Sequence, residues 1–183
     1  MLIGITGSFG AGKGSASDYL VKKKNFIHLS ARSLITEEVI KRGLPVNRDS
    51  MAIVANDLRK QGGPSYIFEK LVEKAESLGG NVVVESIRAV AEADYIKSRG
   101  GLVLGIDAEP EIRYSRIVER ASETDNVTFD EWRRQEVNES DTTDPTKQNI
   151  FGALQQSDYI ILNTTTIEAL EAEIDKFLEM KHD

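Results

Sequence analysis

Leu2-Ile3-Gly4-Ile5-Thr6 is a short apolar run that leads without a break into Gly7-Ser8-Phe9-Gly10-Ala11-Gly12-Lys13-Gly14-Ser15. Behind this loop Ala16, Tyr19 and Leu20 fall at helical spacing. A strand, a glycine-rich loop and a helix N-terminus in that order form the setting of a phosphate-binding loop, or P-loop. The glycines let the backbone curl until consecutive N–H groups face one anion, and the helix dipole adds positive potential at the same point. Lys13 supplies a full charge for the β- and γ-phosphates. Gly7, Ser8, Phe9, Gly10, Ala11, Gly12, Lys13, Gly14 and Ser15 are therefore the expected phosphate site. One position departs from the general pattern. Gly14 stands where a Ser or Thr ordinarily ligates magnesium, and the hydroxyl arrives one place later, at Ser15.

The rest of the chain repeats the alternation that this opening begins. Phe26-Ile27-His28-Leu29, Asn81-Val82-Val83-Val84, Gly101 to Ile106 and Tyr159-Ile160-Ile161-Leu162 read as strands, several of them continuous β-branched runs suited to burial on both faces. Helical segments fill the gaps. Glu37→Lys41 and Glu38→Arg42 have i,i+4 spacing, and a helix from Pro64 carries Ile67, Leu71, Ala75 and Leu78 before Gly79-Gly80 ends it. Thr128 with Glu131 and Thr165 with Glu168 have capping-box spacing, and the last helix shows Leu170, Ile174, Phe177 and Leu178 on one face. The expectation is an α/β fold with a mostly parallel sheet and right-handed crossovers, in one domain spanning residues 1–183. Two stretches interrupt the alternation, about 32–80 and a polar segment from about 121. Both leave C-terminal strand ends, where ligands sit in open α/β sheets, so both read as covers over a ligand.

Composition narrows the partners. With 23 basic and 30 acidic residues the formal net charge is −7, which disfavours an extended nucleic-acid interface. Lys22-Lys23-Lys24 reads as a solvated helix end. The absence of cysteine closes thiol and disulfide chemistry. No apolar run approaches the length of a bilayer span, and the opening strand does not fit a signal peptide. The expectations are a cytoplasmic protein, monomer or homodimer, with small-molecule nucleotides as partners and neither nucleic acid nor membrane.

Ligand-facing residues should follow the strand ends. After the Val82 run comes Glu85-Ser86-Ile87-Arg88, where the carboxylate suits water-held magnesium near Lys13 and the arginine suits a phosphate. Ser30 and Arg32 follow the second run, equally readable as an N-cap with an exposed arginine or as ligand contacts. Beyond Asp107 come Arg113, Arg116, Arg120, Arg133 and Arg134. Arg116, Arg120 and Arg134 suit neutralisation of a moving phosphoryl group, whereas Arg113 reads as part of a solvated face paired with Glu111, Glu119 and Glu123. His28 has no evident partner, and Trp132 reads as a packing residue.

These residues resemble a known family. Gly7-x-x-Gly10-Ala11-Gly12-Lys13-Gly14-Ser15 is similar to the P-loop of adenylate kinase and its nucleoside monophosphate kinase relatives, where Gly-Lys-Gly followed by Thr or Ser is common. Arg116-Ile117-Val118-Glu119-Arg120 resembles the family's lid-entry arginines. Glu85-Ser86-Ile87-Arg88 resembles its Asp-Gly-x-Pro-Arg stretch, with Glu for Asp, Ser for Gly and no proline. Lys41 to Pro45, Leu58-Arg59 and the Asp-Tyr-Ile-Ile at Asp158 extend the likeness to the adenylate-kinase-related group and, near the C-terminus, to dephospho-coenzyme A kinase. The resemblance implies a three-layer P-loop NTPase fold with a five-stranded parallel sheet in order 2-3-1-4-5. It makes about 32–80 an acceptor-binding insertion and about 121–140 a short lid.

It also implies roles. Lys13 and the loop amides would hold ATP, with Arg116 and Asn163 beside the adenine. Arg120 and Arg134 would neutralise the transferred group, Ser30, Arg32, Arg59, Glu85 and Arg88 would serve the acceptor, and Ser15 and Glu85 would hold Mg2+ through water. The family's Gly-Asp after Ser30 and its arginine at the place of Thr36 are absent, so that acceptor-binding arginine is missing or replaced by Arg32. The activity expected is ATP-dependent phosphorylation of a nucleoside monophosphate. The alternatives are a dephospho-coenzyme A kinase-like enzyme and an ATPase acting as a nucleotide-dependent switch or assembly factor. A GTPase form is disfavoured, because Thr146-Lys147-Gln148-Asn149 precedes a strand instead of following one.

Overall fold

The computed structural model describes residues 1–120, 128–140 and 144–180, with side chains described to residue 137 in the second stretch. β1 (Leu2–Gly7), α1 (Lys13–Lys24) and β2 (Ile27–Ser30) come first, followed by α2 (Ala31–Lys41), α3 (Arg48–Gly62) and α4 (Tyr66–Leu78). Then come β3 (Val82–Ile87), α5 (Val90–Ser98), β4 (Leu102–Asp107) and α6 (Pro110–Arg120). α7 (Phe129–Ser140), α8 (Ile150–Gln155), β5 (Tyr159–Leu162) and α9 (Ile167–Glu179) complete the described chain. The five strands are parallel in the order β2-β3-β1-β4-β5. β1 lies at the centre, so the P-loop leaves the middle of the sheet.

Alternation along the strands builds two cores, one on each face. Val82, Val84, Ile87 and Val103 face α2 to α5 with Ile67, Phe68 and Ile96, whereas Ile3, Ile5, Val83, Leu104 and Ile106 face α1 and α9 with Leu20, Ile174 and Phe177. Each fully buried Val, Ile or Phe contributes about 1.5–3 kcal/mol, which is why strands covered on both sides carry unbroken apolar runs. A polar link ties the two helices of the second face. Lys24 meets Asp175 at 2.7 Å, and the Tyr19 hydroxyl donates to the same carboxylate at 2.9 Å. The end of α1 is therefore docked against α9, not merely solvated.

Two boundaries differ from the sequence reading. The N-cap of α9 is Thr166, whose hydroxyl accepts from the Ala169 N–H, so the cap stands one residue beyond Thr165. β3 runs three residues past Val84, because Glu85 stays in register opposite Ile5 while Ile87 pairs with Thr6. The residue left over is Ser86, which bulges outward with a φ of 78°. Glycine is the residue that adopts this backbone without strain, and a serine there costs about 1–2 kcal/mol. The bulge ends regular pairing where the chain turns towards the ligand end of the sheet.

Candidate active site

The loop from Gly7 to Ser15 is shaped by contacts that leave no room for side chains. Gly7 has a φ of 137°, and a Cβ there would lie 1.8 Å from the Ile106 carbonyl oxygen. Gly12 caps α1 in the left-handed region, where a Cβ would lie 2.4 Å from Asn163 Nδ2. That approach is functional, since Asn163 Nδ2 donates to the Ala11 carbonyl at 2.8 Å and so pins the loop to the end of β5. The Asn163 carbonyl in turn accepts from Arg116 Nη1 at 2.9 Å. Lys13 Nζ curls back to donate to the Gly7 and Ser8 carbonyls, both at 2.8 Å. The first turn of α1 holds no acidic residue, so no side chain of that turn opposes its positive end. Gly14 is different: nothing lies within 4 Å of the place its Cβ would take.

Glu85 lies beside this loop. Its carboxylate accepts from Ser17 Oγ at 3.3 Å and from His28 Nε2 at 3.2 Å. Burial works to raise the Glu85 pKa, but the His28 bond and the charge of Lys13 outweigh it and hold the carboxyl below its ordinary value. The Glu85 hydrogen bond raises the pKa of His28. In the sequence alone His28 has no evident partner. The register of β2 on β3 puts Ser30 opposite Glu85 and His28 diagonally across from it, which brings the imidazole within reach.

A cavity of about 820 Å³ opens from the loop across the C-terminal strand ends. Gly12, Lys13, Arg116, Asn163, Thr166 and Leu170 line it on the β5 side, and Arg32, Ile35, Met51, Ala55, Arg88 and Gln148 line it on the β2 side. Arg48 and Arg120 also reach the wall, and both guanidinium groups lie against the Phe9 ring, with centroid distances of 4.3 and 5.5 Å. Arg48 Nη1 donates to Gln135 of α7 at 2.9 Å, so α3, the P-loop and α7 meet at this point. Among the described residues, Lys13, Arg32, Arg48, Arg88, Arg116 and Arg120 face the cavity against one carboxylate, Glu85. In a chain of net charge −7, such a concentration of cations focuses positive potential on one site.

Of the residues expected at the site, Phe9, Gly10, Gly12, Lys13, Gly14, Ser15, Arg32, Glu85, Arg88, Arg116, Arg120 and Asn163 line this cavity. Ser30 instead caps α2, accepting from the Ser33 N–H at 3.3 Å. Arg59 is a clear departure. Only 1% exposed and away from the cavity wall, it donates through Nε to Glu92 Oε1 at 2.8 Å. Glu92 is fully buried and also accepts the backbone N–H groups of Arg88 and Ala89, at 2.8 and 3.1 Å. Arg134 stands on the exposed side of α7, 3.9 Å from Glu131, and does not reach the cavity wall. Part of the expected lid, 121–127, lies outside the described residues.

Arg113 is not solvated, as expected from sequence, but buried. It donates to the Ala108 carbonyl at 2.7 Å, pairs with Glu136, and stacks 5.1 Å from the ring of Trp132. Trp132 is fully buried among Tyr114 and Phe129, in keeping with a packing role. Arg48 and Gln148 were missed. Arg48 follows an N-cap asparagine and looks in sequence like any first-turn residue, and Gln148 carries no charge to mark it.

Comparison with known proteins places this geometry. Residues 3–143 match a family model described as an AAA domain. A UPF0200 protein of Methanococcus vannielii is 33% identical, over 97% of this chain and 91% of the relative. Another, of Methanocaldococcus jannaschii, is 29% identical over 98% of this chain and 89% of the relative. Shikimate kinase from Bacteroides thetaiotaomicron has a similar structure, with a TM-score of 0.62 at 15% identity over 98% of each chain. Shikimate kinase from Acinetobacter baumannii, in complex with shikimate, aligns with a TM-score of 0.60 at 15% identity, over 98% of this chain and 93% of that one. At such identities the likeness concerns the fold, which is the parallel P-loop kinase fold with its strands in the order seen here. Among the described residues no helix is long and apolar enough to cross a membrane. With its P-loop, its strand order and these relatives along its length, the chain belongs to the AAA-domain P-loop family and to the UPF0200 proteins.

Proposed function

We propose that this protein transfers the γ-phosphoryl group of ATP to a nucleoside monophosphate. The observation that carries the reading is the chemistry of the cavity wall, where the described residues set six cationic side chains against one carboxylate. Donor and acceptor phosphates brought within about 4 Å repel by about 4 kcal/mol per pair of unit charges, even at an effective dielectric constant near 20. Converging cations offset that cost. An acceptor that reacts through a hydroxyl must also lose a proton to a base as it attacks. A phosphate acceptor brings an oxygen that is already anionic. Glu85, the carboxylate on the wall, is bound by Ser17 and His28 and held below its ordinary pKa, which makes it a weak base. This favours a phosphate acceptor over the hydroxyl of a dephospho-coenzyme A kinase substrate.

In this reading the β5 side of the cavity receives ATP. Lys13 exchanges the Gly7 and Ser8 carbonyls for phosphate oxygens, and the Asn163 anchor keeps the loop amides converged. Arg116 and Asn163 flank the adenine. The β2 side, with α2 to α4 as the acceptor-binding insertion, receives the monophosphate between Arg32 and Arg88, its apolar body against Ile35, Met51 and Ala55. Arg120 turns from Phe9 to the transferred group, and Arg134 joins it when the lid closes and water is excluded. The donor set fits magnesium held through water by Ser15 and Glu85, where it would neutralise charge between the β- and γ-phosphates.

The test is a coupled assay for ADP with ATP, magnesium, a panel of ribo- and deoxyribonucleoside monophosphates, and dephospho-coenzyme A. At least one monophosphate should raise ADP formation tenfold or more above ATP alone. Turnover with every monophosphate no faster than ATP hydrolysis refutes the reading and leaves a nucleotide-dependent switch as the better one.

A further inference from the structure

We infer that Gln148 is an acceptor-binding residue, its side-chain amide donating to a non-transferred oxygen of the acceptor phosphate beside Arg88. Gln148 lines the cavity and is only 6% exposed, an unusual place for an uncharged amide unless both ends are used. Its Oε1 accepts from Arg88 Nη1 at 3.3 Å. That bond fixes which end of the amide is the carbonyl and leaves Nε2, with two donors, as the end without a hydrogen-bond partner among the described residues. Gln148 is not among the buried side chains with an unmatched polar atom, so Nε2 opens on the cavity, where its N–H groups can exchange solvent for an oxygen of a ligand.

The backbone around Gln148 is held rigidly. The next residue, Asn149, donates its N–H to the Arg88 carbonyl at 2.7 Å and caps α8 by accepting from the Gly152 N–H, also at 2.7 Å. Arg88 is thus bonded to residues 148 and 149 through both its side chain and its carbonyl, and the two donors are presented as one unit. A guanidinium and a neutral amide side by side match an oxyanion: the arginine supplies charge, and the amide supplies direction without adding a proton that must later be removed.

The inference rests on the phosphate-acceptor reading above, and its test separates the two. Binding of the preferred nucleoside monophosphate, and of a non-hydrolysable ATP analogue with magnesium, is measured by calorimetry on the native protein, Gln148→Leu and Gln148→Glu. Gln148→Leu should weaken monophosphate binding about ten-fold and by the same factor for every base in the panel, with affinity for the ATP analogue and the melting temperature unchanged. Gln148→Glu should weaken it further, because a carboxylate there pairs with Arg88 and repels the phosphate. If native protein binds monophosphate and Gln148→Leu binds it equally well, or loses affinity for some bases only, the inference is overturned and the acceptor reading stands. If native protein binds no monophosphate, the acceptor reading fails and the inference with it.

Discussion

Replacing Arg59 with Met separates two roles that a sequence cannot distinguish. By resemblance, Arg59 grips the acceptor phosphate. In the structure it lies inside the protein, at 1% exposure, with Nε 2.8 Å from Glu92 and Nη1 3.2 Å from Asn56. Met preserves most of the apolar stem but removes the charge. Glu92, fully buried, would keep its two backbone donors from Arg88 and Ala89 and lose its counter-ion. Removing one partner of a buried ion pair costs about 3–5 kcal/mol. For a chain of 183 residues, 1 kcal/mol corresponds to about 2–4 °C of melting temperature, so Arg59→Met should melt roughly 6–20 °C lower. Arg59→Lys should recover part of the loss, since it restores the charge without the planar fork. The assay is thermal unfolding by circular dichroism, beside monophosphate affinity measured well below the transition. A structural role for Arg59 is refuted if Arg59→Met keeps its melting temperature within about 2 °C while its monophosphate affinity falls ten-fold. That result would return Arg59 to the acceptor site.

Other positions give sharper contrasts at lower cost. Gly7→Ala should abolish nucleotide binding and destabilise the fold by several kcal/mol, because its Cβ would sit 1.8 Å from a carbonyl oxygen. Gly14→Ala has open space and helical backbone, so it should raise the melting temperature of the free protein by about 1–4 °C. The His28–Glu85 pair predicts a pH window. A raised His28 pKa stabilises fully below the ordinary histidine value near 6.5 and is lost as pH climbs through the folded value. A lowered Glu85 pKa stabilises above about 4.3 and is lost as pH falls through the folded value. The melting-temperature gap between native protein and His28→Gln should therefore be widest at about pH 5–6.5 and close as pH rises through the folded His28 value. A gap that grows with pH would contradict the pairing.

What the sequence disclosed follows from how local each signal is. Gly7 to Ser15 shows itself because strand, loop and helix are consecutive, and the unbroken runs at Val82 and Leu102 reveal strands covered on both sides. Long-range pairings are not written that way. Arg59 and Glu92 lie 33 residues apart on separate helices, and only packing decides that they meet. His28 finds Glu85 through the β2–β3 register, which becomes visible only once the strand order is known. Arg113 reads as one more charge on a helix rich in glutamate, yet the turn of α6 beneath Phe9 and Trp132 draws it inside. Gln148 is the extreme case, a neutral residue in a polar stretch whose importance comes from what surrounds it.

The central claim is that the acceptor attacks through an anionic phosphate oxygen. Phosphorus NMR of the products of a reaction containing ATP, magnesium and the preferred acceptor reads this directly. Attack by a phosphate oxygen gives a new phosphoanhydride, with the acceptor phosphorus split by coupling to a second phosphorus as ADP accumulates in equal amount. A new uncoupled phosphomonoester, with the acceptor's original phosphate unchanged, would mean that a hydroxyl had been phosphorylated and would contradict it.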